Sequence, residues 1–194
     1  MALNPLDMNI LLLGPPGAGK GTQGAILAQR LGVPKFATGD MIREAIAAGT
    51  PLGRQAKAVY DSGALVSDDL ILGIVRDAVA TPPAARGTVL DGVVRTIPQA
   101  EGMERMLAEL GRKIDAVLFF DVSDDEILSR IEKRRTIEGR TDDDPVAVQR
   151  RLQAYRTQTA PVLQWYEARG GVKKIPAIGG VEEIAERVKT ALGV

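Results

Sequence analysis

Asn9 to Leu13 is a compact apolar run that stops at Gly14-Pro15-Pro16-Gly17, and from Thr22 to Leu31 the apolar positions Ile26, Leu27 and Leu31 recur at helical spacing. The opening reads as strand, loop, helix. A second apolar run, Thr88 to Leu90, ends at Asp91 and precedes the amphipathic stretch Pro98 to Leu110, and Ala116 to Asp121 is the strongest strand signal in the chain. Ser123 and Glu126 form a capping box before Ile127, Leu128 and Ile131, which predicts a helix running towards Arg135. Asp144-Pro145 opens a long helix whose last turns carry Trp165 and Tyr166, both expected to pack against the core. Gly170-Gly171 stops it before a short run, Val172 to Ile175, and a final helix, Val181 to Leu192. This alternation predicts an α/β fold in which a parallel sheet is covered on both faces, with ligands at the carboxyl ends of the strands. Two stretches stand outside it: Thr38 to Val66, a helical excursion jointed at glycines, and the polar loop Thr136 to Asp144. Both are expected to be flaps.

Composition narrows the chemistry. The chain has 194 residues, 45% hydrophobic and 26% charged, the profile of one globular domain. Lysine plus arginine number 25 and so do aspartate plus glutamate, so no bulk cationic field exists to hold a nucleic acid polymer or a membrane surface. Any anion site must be local. The longest aliphatic runs fall far short of the roughly 18 residues that span a bilayer, and the first residues lack the pattern of a secretory signal, so the cytoplasm is the expected compartment. Neither cysteine nor histidine is present, which removes disulfides, thiolate nucleophiles, serine–histidine triads and most zinc schemes. Carboxylates, cations, magnesium and backbone amides remain.

Gly14-Pro15-Pro16-Gly17-Ala18-Gly19-Lys20-Gly21-Thr22 has the spacing of a phosphate-binding loop. Consecutive amides of such a turn wrap a polyphosphate, the following helix N-terminus adds positive partial charge, and Lys20 reaches the terminal phosphates. The bare pattern would turn up in roughly 0.09 random chains of this composition, and demanding Gly17 as well lowers that to about 0.01. The residue after the lysine is Gly21, with Thr22 one step later, where the general motif has serine or threonine. That run resembles the loop of the nucleoside monophosphate kinase family, above all its adenylate kinases.

The resemblance extends further. Thr38-Gly39-Asp40-Met41-Ile42-Arg43 is similar to the family's entry to the monophosphate flap, Ser62 to Asp68 to the stretch closing it, and Asp91 to Ala100 to its D-G-F-P-R-T-x-x-Q-A segment. Arg130, Arg134, Arg140 and Arg151 fall where the family places its lid arginines. The resemblance implies a P-loop three-layer sandwich with a parallel five-stranded sheet, a helical flap at 38–66 and a short lid at 135–145, the core being 1–37, 67–134 and 146–194. It assigns catalysis to Lys20, Arg95, Arg130, Arg134, Arg140 and Arg151. ATP falls to Gly14, Pro15, Gly17, Ala18, Gly19, Lys20, Gly21, Thr22, Arg130 and Arg134. AMP falls to Thr38, Gly39, Arg43, Ala64, Val66, Gly92, Arg95, Gln99, Arg140 and Arg151, and magnesium to Asp91 through water. The implied reaction is transfer of the terminal phosphoryl group of MgATP to AMP, giving two ADP, by a monomer. An acceptor that is itself a phosphate oxygen needs no histidine, which suits the composition.

Plainer readings compete at several positions. Thr38 can be the cap of a helix beginning near Asp40, Asp91 a turn aspartate, Gln99 a surface glutamine, and the arginines a solvated face paired with Asp142 and Asp143. Val93-Val94 stands where the family has phenylalanine–proline, and loss of a ring beside the acceptor base predicts affinity weakened by roughly fivefold to 150-fold. Only five residues separate Arg134 from Arg140, which resembles the short-lid form. A UMP or CMP kinase, an ATP hydrolase and a non-catalytic nucleotide sensor are the alternative functions.

Overall fold

The computed structural model describes residues 8–61, 66–138 and 145–194. Five strands form one parallel sheet: β1 (Asn9–Leu13), β2 (Lys35–Ala37), β3 (Thr88–Asp91), β4 (Ala116–Asp121) and β5 (Val172–Pro176), in the order β2-β3-β1-β4-β5. β1 is central because all five of its residues are buried, which a sheet covered on both faces demands. Its side chains alternate between two cores. Ile10 and Leu12 meet Leu27, Leu31, Ile184 and Val188 on one face, while Leu11 and Leu13 join Met103, Leu107, Val162 and Tyr166 on the other. Strand order reverses at β1, so its carboxyl end opens between β3 and β4, the crevice where open α/β sheets bind ligands.

The first core is covered by α1 (Lys20–Leu31) and α9 (Val181–Leu192), and the second by α4 (Asp68–Val79), α5 (Ile97–Glu109) and α8 (Ala160–Glu167). Two corrections to the sequence reading concern boundaries. The capping box at Ser123 is only half made: the Glu126 amide donates to Ser123 Oγ at 3.4 Å, but the Glu126 carboxylate accepts from Arg130. The helix it opens, α6 (Asp124–Glu138), continues past Arg135 and absorbs the start of the expected polar loop. Between α7 (Pro145–Ala154) and α8 the helix widens into a π-turn, Tyr155–Thr159, which no periodicity announced. Val148 and Leu152 of α7 pack on Ile127 and Ile131 of α6, whereas Val162 and Tyr166 of α8 enter the main core. Trp165 sits partly buried beside that core, edge-on to Tyr166 at 4.8 Å and capped by the Arg169 guanidinium.

The excursion after β2 consists of α2 (Thr38–Ala47) and α3 (Pro51–Asp61), joined at Gly49, whose φ of +60° lies in the left-handed region. Gly53 of α3 meets α2 so closely that a Cβ there would lie 1.9 Å from the Ala45 carbonyl oxygen. No side chain fits between the two backbones. Gly53→Ala is expected to push α3 off α2 at a cost of about 1–3 kcal/mol, seen as faster hydrogen exchange of the α2 and α3 amides with the sheet amides unchanged.

Candidate active site

The phosphate-loop sequence lies between the carboxyl end of β1 and the first turn of α1, which begins at Lys20 rather than at Thr22. Its shape depends on two glycines. Gly19 precedes the helix at φ +88°, and Gly17, at φ +83°, lies so near α6 that a Cβ would come within 3.0 Å of Ile131. The opening amides of α1, which no residue inside the helix can satisfy, face the crevice. Lys20 folds back over the loop, its Nζ donating to the Gly14 and Pro15 carbonyl oxygens at 2.7 and 2.8 Å. Burial pushes its pKa down to about 8; Asp91 opposes the shift, and Arg95 and Arg134 add to it.

Around this loop a cavity of about 600 Å³ is lined by Lys20, Lys35, Arg43, Arg130, Arg134 and Arg151, against the carboxylates Asp40 and Asp91. The basic groups are fastened individually. Arg130 donates to Glu126 Oε1 and to the Ala177 carbonyl, both at 2.7 Å, and Arg43 pairs with Asp40. Arg130 and Arg134, four residues apart on α6, both reach the cavity, as their spacing predicts. Arg95 donates to the Gly92 carbonyl at 3.2 Å; loss of surrounding water lowers its pKa, Asp91 opposes this and Arg151 adds to it. Gly17, Gly19, Gly21, Thr22 and Gly39 share the cavity wall. Ala64 and Arg140, with Asp142 and Asp143, lie outside the described residues, so the expected pairing of those acids does too.

Lys35 escaped the sequence reading. Its Nζ donates to the Gly21 carbonyl at 3.1 Å and stands 3.9 Å from Asp91 Oδ2. The only signal for it was β2, three residues long and too short for periodicity to reveal.

The residues expected at the monophosphate base form a second group off the cavity wall. Thr38 is no helix cap: α2 begins at Thr38 with Ala37 before it, and the buried hydroxyl donates to the Gly92 carbonyl at 2.7 Å. Gln99 is no surface glutamine either, being 3% exposed with Oε1 accepting from the Arg95 amide at 2.6 Å. Val66 is buried beside Val93 and Val94, which are 0% and 1% exposed inside the apolar core. Neither valine lines the cavity, and a ring at position 93 would enter packed core.

The family model described as adenylate kinase matches residues 12–171. The chain belongs to the adenylate kinase family. Relatives named adenylate kinase include one from Gemmatimonas aurantiaca, 48% identical over 96% of this chain and all of its own length. One from Stenotrophomonas maltophilia is 46% identical over 95% and 99% of the two chains, and one from Thermus thermophilus 43% identical over 95% and 97%. The family's loop, with its glycine then threonine after the lysine, therefore stands here on the expected strand–helix junction.

The Lys20 shift has a consequence for stability. Between pH 8 and 10.5 the unfolded chain holds a proton on this lysine that the folded chain has lost, so the folded state gains stability as pH rises through that window. The stability of the native chain minus that of Lys20→Met should therefore climb from about pH 8 to pH 10.5 in urea titrations, and a flat difference would show an ammonium that is not desolvated.

Proposed function

We propose that the chain transfers the terminal phosphoryl group of MgATP to AMP, reversibly, giving two ADP. One observation supports this above the others: six basic side chains, from α1, β2, α2, α6 and α7, surround one cavity at the phosphate loop. A chain of zero formal charge that gathers cations this way is built for a polyanion. Histidine and cysteine are absent, so a nucleophile already ionised at neutral pH, such as a monophosphate oxygen, suits the site.

In this reading the loop amides and Lys20 take the β- and γ-phosphates, exchanging the Gly14 and Pro15 carbonyls for phosphate oxygens. Arg130 and Arg134 bind the donor nucleotide; Arg43, Arg95 and Arg151 orient the acceptor phosphate, and Arg140 joins them. Charge stabilisation and in-line alignment then lower the barrier. Thr38, Gly39, Val66, Gly92 and Gln99 form the base end of the acceptor site. Asp91 suits a magnesium ion that arrives with its nucleotide: the other carboxylate at the cavity, Asp40, pairs with Arg43, and among the described residues no group of three or more acidic ligands could hold a metal alone. Bound there through water, the ion would neutralise charge on the phosphates. Residues 38–66 act as a flap over the acceptor and 135–145 as a short lid, which together exclude water. The enzyme acts as a monomer in this reading.

In a coupled assay with MgATP, AMP should be the efficient acceptor among AMP, UMP and CMP. Lys20→Met and Arg134→Ala should each lower turnover by about 10³- to 10⁵-fold, the scale of an arginine finger. Phosphate release without any acceptor would point to hydrolysis instead.

A further inference from the structure

The first residue of α4, Asp68, is absent from the site assignments above, yet both its oxygens are engaged. Oδ1 accepts from Gln99 Nε2 at 2.7 Å, and Oδ2 accepts from Thr96 Oγ1 at 3.1 Å. Thr96 in turn caps α5, accepting from the Gln99 amide at 3.2 Å. The other end of the Gln99 side chain accepts from the Arg95 backbone N–H at 2.6 Å. The two partners are of opposite kind: a carboxylate only accepts, and a backbone N–H only donates. Rotating the Gln99 amide by half a turn would set oxygen against oxygen at Asp68 and N–H against N–H at Arg95. Its orientation is therefore chemically dictated.

We infer that Asp68 is a positioning residue that sets acceptor-base specificity by locking the donor–acceptor order of the Gln99 amide. This rests on the reading that Gln99 meets the base of AMP. With one N–H and one lone pair already used, the amide has one of each left to offer. Adenine presents an exocyclic N–H beside a ring-nitrogen acceptor, the complement of that pair. The 6-oxo purine of IMP presents the reverse order, a carbonyl oxygen beside a ring N–H, and meets two like groups. A glutamine held at both ends cannot turn over to suit IMP, whereas without Asp68 the Arg95 N–H alone opposes the turn, and the two hydrogen bonds gained to IMP outweigh it. Rejection comes from leaving polar groups unpaired, which discriminates more strongly than any difference in fit.

The test compares kcat/KM for AMP and IMP, with saturating MgATP, in the native chain, Asp68→Ala and Asp68→Asn. In Asp68→Ala the IMP value should rise about tenfold while the AMP value falls by less than about fivefold, with KM for ATP unchanged. Asp68→Asn keeps the shape, but its amide can turn to accept or donate, with the Thr96 hydroxyl serving either way, so it imposes no order and its AMP-to-IMP ratio should relax as in the alanine variant. A purely structural role for the carboxylate at the start of α4 would lower both acceptors together and leave the ratio fixed. An unchanged ratio in Asp68→Ala or in Asp68→Asn overturns the inference. If Asp68→Ala does not fold, Asp68→Ser carries the same comparison, since a hydroxyl accepts or donates and imposes no order. A native chain that phosphorylates AMP but fails this comparison refutes the role of Asp68 alone, whereas a native chain inactive on AMP refutes the proposed function as well.

Discussion

Like charges gathered around one cavity repel, and the cluster at the phosphate loop is organised by the need to hold its cations in place. Two unit charges 4 Å apart interact by about 4 kcal/mol at an effective dielectric of 20, enough to unfold a marginal region if several such pairs went uncompensated. Local partners hold them. Lys20 lies on two loop carbonyls, Arg130 on Glu126 and the Ala177 carbonyl, Lys35 on the Gly21 carbonyl near Asp91, and Arg43 on Asp40. Most are backbone oxygens or single carboxylates, weaker counterparts than the oxygens of a polyphosphate. These contacts thus fix the cations around the cavity.

The fold supplies the rigidity this arrangement needs. The loop hangs from the central strand, whose residues are buried on both faces, and is pressed against Ile127 and Ile131 of α6 through Gly17. The same helix carries Arg130 and Arg134, so the phosphate seat and two of its cations are set by one packing contact. On the acceptor side, hydrogen bonds from Thr38 to Gly92 and from Gln99 and Thr96 to Asp68 tie the ends of the 38–66 segment to the strand and helix around Asp91 to Gln99. The loop and this second group of residues therefore both refer back to β1 and β3.

The sequence made the central sheet legible because strands buried on both faces leave continuous apolar runs, as β1 and β4 do. β2 escaped because three residues carry no period, and Lys35 escaped with it. The phosphate loop and the spacing of Arg130 with Arg134 could be read because each is a local, short-range pattern. Gln99 and Thr38 were identified as residues, but their burial was not legible, since it depends on contacts with Asp68 and Gly92, 31 and 54 positions away in the chain. Val93 and Val94 illustrate the same limit: beside a motif by sequence, they belong to the core by packing.

The π-turn at Tyr155–Thr159 makes one helix serve two neighbours. Val148, Leu152, Val162 and Tyr166 would fall along a single stripe in an unbroken α-helix, being 4, 14 and 18 positions apart from the first. Widening the helix by about one residue swings the second half roughly a quarter-turn, so that its stripe looks toward the sheet while the first looks toward α6. Excising one residue there would realign the two halves and force the chain to abandon either the arginine-bearing hairpin or the hydrophobic floor beneath β4.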